Sequence, residues 1–151
     1  MVQGSVHVTI DRDATRVFSA IADVTRMGEW SPECVAARWV GGATGPAVGA
    51  KFEGENRVSL FGFAVKRWTT TSEVTACEPD ELFEFVAEGY TTWRYRLEPD
   101  GERTKVTESY QYASASGARA FVYETLRRRP AAMVKGMQHT LDRIKRSVES
   151  G

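Results

Sequence analysis

The sequence has little of the usual equipment of metal, redox or nucleotide chemistry. It has two cysteines and two histidines in 151 residues. Cys34 and Cys77 lie far apart, with no second Cys or His at ligand spacing near either, so neither zinc nor a redox pair is signalled and reduced thiols are expected. His7 alternates with apolar Val6 and Val8 and is expected on an exposed face. His139 falls two residues past Met137, off the apolar stripe of its helix, so no metal site and no cofactor are expected. Serine nucleophile elbow, P-loop and Gly-x-Gly-x-x-Gly turn are all missing, which leaves hydrolase, nucleotide and dinucleotide chemistry without support. Net charge is lacking too: 20 basic and 20 acidic residues cancel, giving no global field for nucleic acid. No apolar run reaches the length of a membrane span, and the N-terminal stretch has no signal-peptide core. Stable membrane insertion is therefore not expected, and a cytoplasmic location is.

What is present describes an ordinary folded domain. The chain is 42% hydrophobic and 26% charged, and at this length it buries about 70% of its unfolded surface in one core. One domain over residues 1–151 is expected, without repeats or linkers. Val6, Val8 and Ile10 alternate with polar residues and predict a strand over 5–11. Asp13 is a candidate N-cap for a short helix carrying Val17, Phe18 and Ile21, and Asp23 to Trp30 adds a second short helical turn before Ser31-Pro32.

From Val35 to Tyr112 turn signals separate six further strands into an antiparallel meander. The clearest pieces are Lys51 to Val58, Arg67 to Cys77, Leu82 to Glu88, Thr91 to Glu98 and Lys105 to Tyr112, all rich in aromatic or β-branched residues. Beyond Ser114 the period changes. Met133, Met137, Leu141, Ile144 and Val148 recur at helical spacing and predict an amphipathic helix of about 18 to 20 residues. Pro130 suits its first turn, and a separate helical piece is expected over Ala118 to Arg128.

The segment Asp23 to Arg57 (DVTRMGEWSPECVAARWVGGATGPAVGAKFEGENR), with RWTTTSEV, TWRYRLEPDG and TKVTESY, resembles the polyketide cyclase/dehydrase branch of the START-like superfamily, which includes the major birch pollen allergen. The likeness covers nearly the whole chain and is closest to small actinobacterial members with a Gly-Glu-Trp-Ser-Pro turn followed by a Val-Gly-Ala-Lys-Phe strand. It implies an α+β helix-grip fold: a seven-stranded curved antiparallel sheet around a long C-terminal helix, with two short helices after the first strand. It also implies a cavity between sheet and helix. Members bind lipids, sterols, polyketides or hormones, and a minority catalyse cyclisation, aromatisation or dehydration; fold does not choose among these.

Alternation decides which side chains face that cavity. With charged residues outside, Phe52, Gly54, Asn56 and Val58 point in, as do Trp68, Thr70, Ser72 and Val74. Phe83, Phe85, Trp93, Tyr95 and Leu97 follow by the same rule, and then Val106, Glu108, Tyr110 and Tyr112. The expected ligand-binding set is Asn56, Trp68, Phe83, Phe85, Trp93, Tyr95 and Tyr110 from the sheet, with Met133 and Met137 from the helix. Glu108 is the unexpected inward carboxyl. Burial of an unpartnered carboxylate is costly, so it should be protonated, hydrogen-bonded to Asn56, Tyr95, Tyr110 or Trp68, or both. It is either a structural anchor or a group that orients a ligand or moves a proton.

Several features stay open at this level. Arg38 and Trp39 take opposite faces of the second strand, and an inward Arg38 could pair with Glu108. Trp30 either staples the short helices or closes the cavity mouth. Leu60 to Phe63 form an apolar turn that could gate the cavity or meet a partner. From Ala113 onward eight basic residues face three acidic ones, either a solvated face or one that allows transient contact with an anionic membrane or an acidic protein. The leading expectation is a binder or carrier of a hydrophobic small molecule. The rivals are a cyclase or dehydratase working through Glu108, and a protein-interaction module. The oligomeric state is not legible.

Overall fold

Alternating apolar side chains build the sheet, and in a computed structural model the chain is described over residues 1–60, 63–113 and 129–151. Strand β1 (Val2–Ile10) leads into helix α1 (Ala14–Ala22) and a 3-10 helix (Val24–Glu29). Six strands follow: β2 (Cys34–Val40), β3 (Lys51–Leu60), β4 (Phe63–Glu78), β5 (Leu82–Ala87), β6 (Thr91–Asp100) and β7 (Arg103–Tyr112). The C-terminal helix is α2 (Arg129–Ser150). The expected Ala118 to Arg128 piece and the Leu60 to Phe63 side chains lie outside what is described.

The seven strands form one antiparallel sheet in the order β1-β7-β6-β5-β4-β3-β2. A meander from β2 to β7 is thus closed by β1, which pairs with β7 from Val2↔Tyr112 to Ile10↔Thr104. Register shifts at Cys34/Ala36, Val58/Ser59 and Val74/Ala76 bend the strands, as bulges do. β1 starts at Val2 and not at residue 5, because pairing with β7 continues through Gly4. Gly4 hid this from the alternation. A Cβ there would lie 2.8 Å from the Tyr110 ring, so glycine is what lets that ring lie on β1.

Capping and close approach set the short helices. Asp13 accepts a hydrogen bond from the Arg16 amide at 2.9 Å, and α1 buries Val17, Phe18 and Ile21. Asp23 accepts from the Thr25 amide at 3.1 Å and starts the 3-10 helix. At Gly28 a Cβ would stand 2.3 Å from the Val35 carbonyl oxygen, so the turn into β2 requires glycine. Trp30 is 3% exposed inside the main core, with the Arg26 guanidinium 4.9 Å from its ring. It is the staple of the two alternatives.

Helix α2 packs chiefly on β1, with Pro130 in its first turn, where the missing N–H has no intrahelical partner to lose. Its C-terminal end is fastened to the β1–α1 corner. Lys145 Nζ donates to the Thr9 carbonyl at 2.7 Å and to Glu149 at 2.6 Å. Glu149 accepts from the Asp11 amide at 2.8 Å, and Arg12 reaches the Glu149 carbonyl oxygen.

The core divides in two. Leu141, Ile144 and Val148 of α2 join Ile10, Phe18, Ile21, Phe83 and Val106 in one filled cluster. Met133 and Met137, toward the other end of the helix, form a smaller cluster with Tyr110 and Tyr112.

Candidate functional site

Between the sheet and the N-terminal half of α2 lies a cavity of about 620 Å³, within the few-hundred to 1,000 Å³ range of small-molecule sites. Its buried wall includes Phe52 and Phe85 from the sheet and Met133 and Met137 from the helix. Trp68 and Trp93, half-buried, complete the apolar lining. The rim is exposed and more polar, with Glu88, Tyr90, Lys135 and His139.

Glu108 lines this cavity at 3% exposure. It sits in mid-β7, opposite Tyr95 of β6, and the Tyr95 hydroxyl makes a hydrogen bond with its carboxyl. Its Oε1 is buried with no geometric hydrogen-bond partner among the described residues. Burial pushes the Glu108 carboxyl well above its usual range, and the Tyr95 hydrogen bond only partly opposes this. Tyr95 is raised as well, by burial first and then by the neighbouring acid. Both shifts favour the protonated forms, a carboxyl and a phenol side by side in the wall.

Other polar groups of the wall bond within the protein. Asn56 Nδ2 donates to Thr70 Oγ1 at 3.1 Å and lies 3.3 Å from the Gly54 carbonyl. It braces β3 against β4, and of the partners considered for Glu108 it is Tyr95 that meets the carboxyl. Thr140 Oγ1 donates to the Gly136 carbonyl at 2.9 Å, within its own helix. The Cys34 thiol is raised by burial and donates to the Ala36 carbonyl, so it is a wall group and a poor nucleophile. Among the described residues no three His, Cys, Asp or Glu side chains cluster as metal ligands would.

The structure brings Asn56, Trp68, Phe85, Trp93, Tyr95, Glu108, Met133 and Met137 onto one wall. Phe83 and Tyr110 are not on it. Phe83 also faces in, but its strand position lies over α1, where it packs edge-to-face on Phe18 at 6.5 Å. Tyr110 is taken up by Trp93 and Tyr112, with ring centroids at 5.9 and 6.0 Å. Arg38 faces outward and pairs with Glu53 at 3.1 Å, leaving Trp39 to pack on Phe52. Alternation turned Thr70 and Ser72 inward, and both lie on the wall. His139, Lys135 and Tyr90 were missed because rim membership depends on where helix and sheet diverge, which no periodicity encodes.

Fold and cavity together define the class: a helix-grip domain that encloses an apolar chamber with one buried carboxyl in its wall. The chain belongs to the polyketide cyclase/dehydrase and lipid transport family, whose model matches residues 1–149. It is similar to a Polyketide_cyc-like protein of Corynebacterium glutamicum, at 32% identity over 97% of this chain and 91% of that one, with a TM-score of 0.67. The KanY protein (16% identity, 98% and 97% coverage, TM-score 0.74) shares the fold. So does an AHSA1-like protein of Aeromonas hydrophila (19% identity, 99% and 93% coverage, TM-score 0.68). No curated protein matches the chain. Among the described residues no helix is long and apolar enough to cross a membrane.

Proposed function

We propose that this protein binds and carries a hydrophobic small molecule, of lipid, fatty-acid or polyketide-like type, between the sheet and α2. The supporting observation is the 620 Å³ chamber walled by Phe52, Phe85, Trp68, Trp93, Met133 and Met137. Aromatic rings give such a site area at low entropic cost, and methionines let it adapt to shape. Native mass spectrometry of protein purified from its own organism, with organic extraction of whatever is bound, tests this. A discrete apolar compound at one per chain is the expected result. A bare protein that also takes up no fluorescent fatty acid or neutral aromatic probe would overturn it.

A second reading, a cyclase or dehydratase, is favoured by one observation only. Glu108 lines the chamber beside Tyr95 with its carboxyl pushed toward the protonated form by burial, and such a group can give a proton to a ligand oxygen and take one back. Under this reading Glu108→Gln abolishes turnover of an extracted ligand while preserving its binding. Unchanged turnover would remove Glu108 from the chemistry.

A further inference from the structure

The wall of the cavity is unequal in charge. Of the ionisable groups lining it, Glu33, Glu88 and Glu108 are acidic, whereas the basic ones, Lys135 and His139, both lie at the exposed rim. The wall that Glu108 shares includes Phe85, Trp93, Tyr95 and the helix methionines, and the cations among its described residues are the two at the rim. A buried carboxyl that lines a chamber of this size and leaves one oxygen without a hydrogen-bond partner among the described residues is the mark of a group whose partner comes from outside.

We propose that Glu108, supported by Tyr95, is a recognition site for a neutral oxygen (a ketone, phenol, ether or alcohol) on an otherwise apolar ligand, and that it turns carboxylates away from the interior. The inference rests on the cavity-binding reading and narrows it. The Glu108 carboxyl, held by Tyr95, donates its proton to the ligand oxygen in its protonated form, the form that burial favours. A ligand hydroxyl can in addition donate back. A ligand carboxylate at the same place would bring two acids together with no cation beside them among the described residues, so one would have to take up a proton at a cost to binding. An amphipathic acid could bind only with its head at the rim, near Lys135. Glu108 thus fixes both which end of a ligand enters first and which class of ligand enters.

Three probes of nearly equal shape test this: 2-acetonaphthone, 2-ethylnaphthalene and 2-naphthoate, titrated into the whole chain at neutral pH. The ketone should bind roughly three- to tenfold more tightly than the hydrocarbon, the worth of one net hydrogen bond, and naphthoate should bind most weakly. The carbonyl stretching band of the bound ketone should move to lower frequency. Glu108→Gln, whose amide N–H still donates, should keep the preference and the band shift. Glu108→Leu should lose both, with affinity for the hydrocarbon unchanged or improved. Equal binding of ketone and hydrocarbon with an unshifted band, or tightest binding of naphthoate, would overturn the recognition site and leave the cavity reading standing. Failure of all three probes to bind would overturn both. The wild-type series is decisive even if a variant does not fold.

Discussion

The two ends of helix α2 meet the same sheet and do different work. At the C-terminal end Leu141 and Ile144 are fully buried and Val148 nearly so, among Ile10, Val17, Phe18, Ile21 and Phe83. At the N-terminal end Met133 and Met137 are as well hidden from solvent, yet they face the chamber. Low exposure is common to both ends; packing is not. A side chain against a void lacks partner atoms on that side and forfeits their dispersion energy. The filled end thus secures the fold and allows the other to stay hollow. The clamp of Lys145, Glu149 and Arg12 lies at the filled end, so α2 is held where the core is dense.

The largest test of this contrast is Phe83→Ala, which should cost about 3–5 kcal/mol of stability in urea unfolding, because Phe18 and Phe85 both pack on that ring. Met137→Ala, equally buried, should cost about 2 kcal/mol or less, since part of its surface already faces the chamber. Equal losses would mean that the chamber end is packed as tightly as the core and would break the comparison.

Next in size is the pH dependence at Glu108. Its folded-state carboxyl is raised above the unfolded one by burial, so the folded chain keeps a proton that the unfolded chain releases. Stability from this source is complete at low pH and is lost as pH climbs above the ordinary carboxyl range toward the folded value. Wild type should therefore lose stability relative to Glu108→Gln in the pH window above the ordinary carboxyl range, at no more than roughly 1.4 kcal/mol per pH unit. The neighbouring Tyr95 and Cys34 are both raised from already high values and do not enter that window. Parallel stability curves for the two proteins would show that Glu108 ionises normally in the fold.

The smallest effect sharpens the picture from the helix side. Gly136 lies within α2 on the chamber face, and a Cβ there would meet Pro32 Cγ at an ordinary 3.6 Å. Gly136→Ala should stabilise by about 0.5–1 kcal/mol through helix propensity, read as a rise in melting temperature. A loss instead would mean that the close approach of α2 to the Ser31-Pro32 turn has no room to give.

The sequence by itself determined the order of elements and the facing of nearly every described strand, because strand alternation and helical spacing are local and most charged residues on this sheet keep to its outer face. It also placed Glu108 inward and suggested that it should be protonated or bonded to one of four neighbours. Only the tertiary structure decided which neighbour that is, since Tyr95↔Glu108 is a matter of register between two strands. The same holds for Phe83 and Tyr110, inward residues that serve core and not chamber, and for Arg38, whose partner Glu53 lies across a strand pair on the outer face. Inward facing is a one-residue property with a period. Whether the space beyond is filled depends on how far the bent sheet stands from α2, and that distance is set by bulges, by Gly4 and Gly28, and by the clamp at the far end of the helix.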